Sequence, residues 1–127
     1  MPLVRVSLRI GKSVEFRRKL SSIIYETMVE TINVPAKDNF QIITEHDANG
    51  LIYDPGYLDI QRSDGVIFIQ IILNEGRTVE LKKALYKRLA ERLHNELEVR
   101  MEDIFISLVE VKKENWSFGN GEAQYAK

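Results

Sequence analysis

The sequence predicts an α/β (α+β) fold made of a duplicated β-α-β unit, in which a four-stranded mixed sheet carries two helices on one face. The first observation is an internal repeat, because residues 11–20 (GKSVEFRRKL) match residues 76–85 (GRTVELKKAL), 65 positions later. The second is that strand-like residues precede each copy and helical spacing follows it. A fixed offset of this kind indicates a repeated structural unit.

The repeat organises the whole chain as one expected domain, residues 1–127. We expect units at about 2–44 and 66–111, joined by a linker at 45–65. Turn-forming pairs such as Asn49-Gly50 punctuate this linker. Its apolar side chains predict that it packs on the body of the protein; they are Tyr53, Tyr57 and Ile60.

Each unit reads as strand, helix and closing strand. The first strand, about 2–10, alternates apolar and polar residues, as a strand in a sheet with unequal faces does. Ser13 and Thr78 are candidate helix N-caps. The closing strands are expected at Phe40–Thr44 and Ile104–Val111. The core-facing helix stripes follow helical spacing and comprise Phe16, Leu20, Ile23, Ile24, Met28 and Ile32, then Leu81, Leu85, Leu89, Leu93 and Leu97.

The strand at 66–73 is almost entirely apolar, which predicts that both of its faces are covered. Strand–helix–strand connections of this length favour parallel pairing and right-handed crossovers. Two helices cover only one face of the sheet. The other face is therefore expected to meet another subunit.

Composition excludes several classes of function. The chain has 18 basic and 19 acidic residues, so it carries no surplus of positive charge for nucleic acid or an anionic membrane. It has no cysteine, and its two histidines, His46 and His94, lack the spacing of a metal site. No apolar run approaches the roughly 20 residues that span a bilayer. We expect a cytoplasmic protein with neither nucleic acid nor membrane as partner.

Pro2 follows the initiator Met1 and heads the first predicted strand. Once Met1 is removed, Pro2 carries a secondary amine at the chain terminus, and an unperturbed α-amino group has a pKa of about 7.7–8.0. Burial or a neighbouring cation lowers such a pKa, because either one disfavours the charged form. Pro2 is therefore a candidate general base or acid that needs no side-chain group.

Several motifs together resemble the tautomerase superfamily, which includes 4-oxalocrotonate tautomerase and macrophage migration inhibitory factor. Pro2, the duplicated unit and the Gly-Arg-Thr turn at 76–78 carry the general resemblance. Residues 34–40 (VPAKDNF) are similar to a Val-Pro-Ala-x-Asp-x-aromatic segment of the malonate semialdehyde decarboxylase-like branch. Residues 116–123 (WSFGNGEA) are similar to the C-terminal Trp-Ser-Phe-Gly-x-Gly-x-Ala segment of that branch.

The resemblance implies a homotrimer with the tautomerase fold, in which each site lies near a Pro2 and is partly lined by a neighbouring subunit. It implies an isomerase acting on small α-keto or enol carboxylic acids, with Pro2 as general base and then acid and Arg77 as carboxylate clamp. Asp38 is expected to assist catalysis, and Trp116 and Phe118 to form an apolar wall that binds substrate. The resemblance requires no metal and no other cofactor.

Glu75 departs from the pattern of the decarboxylase. That enzyme has Arg-Pro-Arg where this chain has Glu75, Gly76 and Arg77, so only the second arginine is kept. A carboxylate there repels both a substrate carboxylate and an enolate, and this favours tautomerisation over decarboxylation. Two alternatives stay open. One is a decarboxylase or hydratase that uses a cationic proline, and the other is a non-catalytic binding module with a ferredoxin-like arrangement.

Overall fold

One four-stranded sheet with two long helices on one face forms the fold. The computed structural model describes residues 2–126; Met1, whose removal the proline hypothesis requires, and Lys127 lie outside the described residues. The strands pair in the order β2-β1-β3-β4. The elements are β1 (Leu3–Arg9), α1 (Val14–Ile32), β2 (Gln41–His46), β3 (Ile67–Asn74), α2 (Val79–Leu97) and β4 (Ile104–Val111).

The pairing within the sheet is mixed, as predicted. β1 runs parallel to β2 and β3 runs parallel to β4, while β1 and β3 are antiparallel and join the two units at the centre. A ferredoxin-like domain has a split β-α-β arrangement, with another strand between the two strands of a unit. Here the strands of each unit are direct neighbours, so the ferredoxin-like alternative is wrong.

The two helices obey the repeat residue by residue, since each has 19 residues and α2 begins and ends 65 positions after α1. Ser13 and Thr78 are the N-caps, as predicted, and each side chain accepts a hydrogen bond from the backbone N–H three residues ahead, at 3.0 and 3.2 Å. Both C-caps, Asn33 and Glu98, have left-handed backbones, with φ of 59° and 57°. Local sequence therefore sets both helix boundaries in both units.

The core lies between the helices and the sheet. The predicted helix stripes face it, although Phe16, Leu81 and Leu97 lie near helix ends and are only partly buried. β2 continues two residues beyond its predicted end, because its pairing with β1 extends to His46 and the carbonyl of His46 accepts a hydrogen bond from Ile10 N–H at 2.9 Å. Among residues 2–126, no helix has the length and apolarity required to cross a bilayer.

The sheet face opposite the helices, called the open face below, exposes apolar side chains. Phe68 and Ile72 of β3 alternate with buried core residues and are themselves only partly covered. Their neighbours in β4, Phe105 and Val109, are exposed. The helices thus leave uncovered the second face that the sequence predicts to be covered.

The linker is anchored by fewer side chains than the sequence predicts. Leu51 is buried, and the Tyr53 hydroxyl donates a hydrogen bond to Asp64 at 2.7 Å. Tyr57, however, is 65% exposed in a short 3-10 turn, and Ile60 is also exposed. The linker therefore packs on the body through Leu51 and Tyr53, while Tyr57 and Ile60 stay exposed in the single chain.

Candidate functional site

The pairing of β1 with β2 brings Pro2 close to the segment that contains Asp38. Val4 is in register with Gln41, and the N–H of Val4 donates to the carbonyl of Phe40 at 3.0 Å. Two residues earlier, parallel pairing places Pro2 beside position 39. Asp38 thus reaches the sheet next to Pro2, which is buried.

The pairing of β1 with β3 brings the other side of Pro2 to the end of β3. Leu3 is in register with Ile72 in antiparallel pairing, so Pro2 comes opposite position 73. β3 ends at Asn74, and the turn that follows carries Arg77 to the start of α2. Gly76 makes this turn with a φ of +116°, which favours glycine. Pro2 therefore lies between the approach to β2 and the exit from β3.

Arg77 is held by two backbone carbonyls, and among residues 2–126 its Nη2 donates no hydrogen bond. Its Nε donates to the carbonyl of Ile32 at 3.2 Å, and its Nη1 donates to the carbonyl of Asn74 at 3.2 Å. The carbonyl of Ile32 ends α1 and has no acceptor role within that helix. A guanidinium has five N–H donors, so the edge formed by Nη1 and Nη2 still offers a fork for a carboxylate.

The repeat counterpart of Arg77 is Lys12, and the two are held differently. Lys12 is exposed and precedes α1. Its Nζ lies over the ring of Phe16, in the first turn of α1, 4.8 Å from the ring centroid. Arg77 is partly buried between the end of α1 and the end of β3. The same turn therefore presents an anchored, planar cation in one unit and a solvated one in the other.

Asp38 is a buried carboxyl with an unmet capacity for hydrogen bonds. Only 4% of the residue is exposed, and among residues 2–126 neither of its carboxylate oxygens has a hydrogen-bond partner. Burial raises the pKa of Asp38, and the positive charge of Arg77 opposes that rise. Buried polar groups without partners are uncommon and point to strain or to a role in function.

Trp116 and Phe118, the two rings predicted to form an apolar wall, pack on each other and on a third ring, Tyr125. Trp116 and Phe118 stack with ring centroids 5.3 Å apart and planes 13° apart. Tyr125 packs edge-on against Phe118 at 5.1 Å. Burial, and then the negative charge of Asp38, raise the pKa of Tyr125, so the C-terminal segment lies on the Asp38 side of the fold. Trp116 Nε1 donates to Asn74 Oδ1 at 2.7 Å, which ties the wall to the end of β3.

Sequence reasoning missed Asn74 and Tyr125. Asn74 is the polar residue that ends an otherwise apolar strand, and that contrast was the available signal. Tyr125 has no periodic pattern around it, so nothing local marked it. Glu75, which the sequence singles out, is exposed, and its N–H donates to the carbonyl of Val111 at 2.9 Å. In the described residues, no cluster of three or more His, Asp or Glu side chains could hold a metal ion.

Comparison with known proteins gives consistent matches. Two family models, each for a tautomerase enzyme, match residues 2–58 and 38–119. The probable tautomerase YusQ of Bacillus subtilis (strain 168) is 48% identical over 124 residues, which cover 98% of each chain. The probable tautomerase YrdN of the same strain is 34% identical over 125 residues, which cover 98% of this chain and 96% of the relative.

Solved structures match over almost the full length. The FG41 malonate semialdehyde decarboxylase, solved with the inhibitor 3-bromopropiolate, has a TM-score of 0.90 at 36% identity, covering 97% of this chain and 93% of that one. A fused 4-OT solved as a symmetric trimer has a TM-score of 0.79 at 24% identity, covering 98% of both chains, and supports the fold alone. Sequence and structure agree, and the chain belongs to the tautomerase family of isomerase enzymes.

Proposed function

We propose that this protein ketonises small enol carboxylic acids, with the Pro2 amine as general base and then general acid. One observation carries the proposal. The register of the sheet puts the buried Pro2 between the segment of Asp38 and the turn of Arg77. A base, a carboxylate and an anchored cation at one end of a sheet are the groups that proton transfer within an enol acid requires.

Arg77 would bind the substrate carboxylate through its remaining fork, formed by Nη1 and Nη2. Its Nε already donates to the carbonyl of Ile32, so a carboxylate approaches the terminal edge of the guanidinium rather than its side. The N-terminal end of α2 follows directly and adds its positive dipole. This arrangement fixes the substrate at one end and leaves its enol end to reach Pro2.

Pro2 would take the proton from the enol oxygen and return it to the far carbon of the enol double bond, so that the O–H bond breaks, C=C–O becomes C–C=O and a C–H bond forms. Burial favours the neutral amine, which is the form that can accept a proton. The amine becomes a cation after it accepts the proton, and the unpartnered carboxylate of Asp38 would stabilise that cation. Asp38 thus assists the step without contributing a proton of its own.

The complete site would need more than one copy of the chain. The open face exposes Ile42, Phe105 and Val109, and it is the one broad sheet face that the helices do not cover. Burying such a face stabilises an assembly by about 25 cal/mol per Å² of apolar area. We infer a homotrimer packed through the open face, in which a neighbouring subunit lines part of each site.

The test is ketonisation of phenylenolpyruvate by protein whose free Pro2 terminus is verified by mass. We expect turnover by the wild-type protein and a loss of about 100-fold or more in Pro2→Ala, since general acid–base catalysis contributes about 10²–10⁴-fold. Pro2→Ala keeps a terminal amine but replaces the secondary amine and its ring. Full activity of Pro2→Ala with its own terminus verified contradicts the mechanism.

The second candidate is decarboxylation or hydration by a cationic proline. Similarity to the FG41 malonate semialdehyde decarboxylase and the unpartnered Asp38 favour it, because a nearby carboxylate favours the protonated amine. Glu75 disfavours it, because the Glu75 carboxylate would repel both the substrate carboxylate and an enolate. Release of acetaldehyde from malonate semialdehyde, with activity that rises as pH falls, would favour this candidate over tautomerisation.

A further inference from the structure

Asn74 uses two different oxygens to hold two parts of the candidate site. Its main-chain carbonyl accepts a hydrogen bond from Arg77 Nη1 at 3.2 Å. Its side-chain Oδ1 accepts one from Trp116 Nε1 at 2.7 Å. The indole N–H can only donate, so an acceptor at this position is a strict requirement of the contact. One residue at the end of β3 therefore contacts both the cation and the aromatic wall.

The side-chain bond matters because the C-terminal segment has few polar contacts with the body among the described residues. Within residues 2–126, the Trp116–Asn74 contact is the only hydrogen bond that joins residues 116–126 to the rest of the fold. The other polar contacts are internal to that segment, as where Gln124 accepts from Phe118 N–H at 2.9 Å and donates to a nearby carbonyl.

The aromatic wall is built outward from Trp116. Phe118 stacks on Trp116, and Tyr125 packs edge-on against Phe118. A change in the orientation of Trp116 would shift Phe118 and then Tyr125, because each ring packs on the one before it. The bond to Asn74 sets that first orientation.

We propose that Asn74 is a positioning residue, whose amide oxygen orients Trp116 and through it the apolar wall over the Pro2 site. This inference rests on the proposed function for its catalytic consequence, but not for its structural one. Removing the amide leaves the main-chain carbonyl that holds Arg77. Asn74→Ala should therefore disturb the aromatic wall and leave the contact that holds Arg77 in place.

Trp116 is the one tryptophan of the sequence, so its fluorescence reports the wall directly. We expect Asn74→Ala to shift the Trp116 emission to longer wavelength and to increase its quenching by acrylamide. Asn74→Asp keeps an acceptor at the same place and should retain the wild-type emission. Asn115→Ala is the matched control, because Asn115 is exposed and precedes Trp116 directly, and it should leave the emission unchanged.

The catalytic consequence is measured with phenylenolpyruvate. We expect kcat of Asn74→Ala to fall about fivefold, the effect of one ordinary hydrogen bond, with KM nearly unchanged. Trp116→Phe removes the donor and should lower kcat similarly, and the double variant should be no worse than either single one. If the losses in kcat of Asn74→Ala and Trp116→Phe were additive in the double variant, the two residues would not act through their shared hydrogen bond, and the proposal would be overturned.

Failure of this inference and failure of the proposed function give different results. Unchanged emission and quenching in Asn74→Ala overturn the positioning role, whatever the activity. Changed emission with unchanged kcat also overturns it, because the wall then does not serve the site. Absence of turnover in the wild-type protein contradicts the proposed function instead, and the fluorescence of the variants still decides whether Asn74 orients Trp116.

Discussion

Asp38 and Asp103 occupy equivalent positions of the two units, 65 residues apart, yet among residues 2–126 only Asp103 has hydrogen-bond partners. Asp103 accepts from Ser63 N–H at 2.7 Å, from Ser63 Oγ at 2.6 Å and from Arg100 Nη1 at 3.3 Å. Asp38 has none among residues 2–126, although the two are 4% and 2% exposed. The two units therefore hold equivalent buried carboxylates, of which Asp103 is satisfied by protein groups and Asp38 has no partner among residues 2–126.

Replacing Asp38 by Asn should stabilise the protein and slow catalysis. A buried polar group without a partner costs about 1–3 kcal/mol, and the cost is higher for a charged group. Asn keeps the shape and removes the charge, so we expect the free energy of unfolding to rise by about 1 kcal/mol at pH 8. Urea unfolding and phenylenolpyruvate turnover measure the two effects.

Asp103→Asn is the matched control for that substitution. It removes a charge that Ser63 and Arg100 satisfy, so it should lower the free energy of unfolding by about 1–3 kcal/mol. Equal destabilisation by both variants would mean that Asp38 is a structural residue, like its counterpart.

The stability difference between the wild-type protein and Asp38→Asn should depend on pH in a defined direction. Burial raises the pKa of Asp38 above that of an aspartate in the unfolded chain, so the folded protein takes up this proton at higher pH than the unfolded chain does. In the wild-type protein, the charge on the buried Asp38 lowers the free energy of unfolding by its full amount above the raised pKa. This loss is relieved as the pH falls through that pKa. Urea unfolding of both proteins at a series of pH values, from pH 8 down to about pH 4, the ordinary range of an aspartate, should show a narrowing difference, and a widening one contradicts the assignment.

Arg77→Ala should weaken substrate binding more than it slows the chemical step. Hydrogen bonds to a charged group contribute about 1.5–3 kcal/mol, so we expect KM for phenylenolpyruvate to rise about 10- to 100-fold. Arg77→Lys keeps the charge but not the planar fork, so its KM should lie between that of the wild-type protein and that of Arg77→Ala. Lys12→Ala is the control at the equivalent position, and a comparable rise in KM there would remove the special role of Arg77.

Glu75→Arg should increase decarboxylation. It adds the first cation of the decarboxylase's Arg-Pro-Arg pattern and removes a carboxylate that would repel the substrate carboxylate. We expect acetaldehyde release from malonate semialdehyde to rise by about tenfold or more, which is the effect of roughly 1.4 kcal/mol at the transition state. Glu75→Gln separates the two causes, because it removes the repulsion without adding a cation. No gain in either variant would show that position 75 does not act on the substrate.

Val109→Lys should disrupt the proposed trimer. Val109 is 39% exposed on the open face, where a charge would have to be buried in the assembly. Val29→Lys is the matched control, because Val29 is 38% exposed but lies on α1, on the other side of the core. Native mass spectrometry should give a trimer for the wild-type protein and for Val29→Lys and smaller species for Val109→Lys. Trimers in all three proteins would place the interface elsewhere.

Much of the fold could be predicted from the sequence because its signals are local. Helical spacing and the side chains of Ser13 and Thr78 set the helices through contacts within a few residues. The C-terminal wall was predicted only from resemblance, and its attachment to Asn74 was not predicted at all. That contact joins residues 42 positions apart and leaves no periodic trace in the chain.

The repeat, the helices and strands, and the residue types that reach one end of the sheet follow from the local sequence alone. Only the tertiary structure shows that, of these two equivalent carboxylates, Asp103 has hydrogen-bond partners and Asp38 has none among residues 2–126. Asp38 and Asp103 follow the same local pattern, but Ser63 comes from the linker, 40 positions away, and satisfies only Asp103. Hydrogen-bond partners supplied by distant segments depend on how the chain packs, and local spacing carries no record of them.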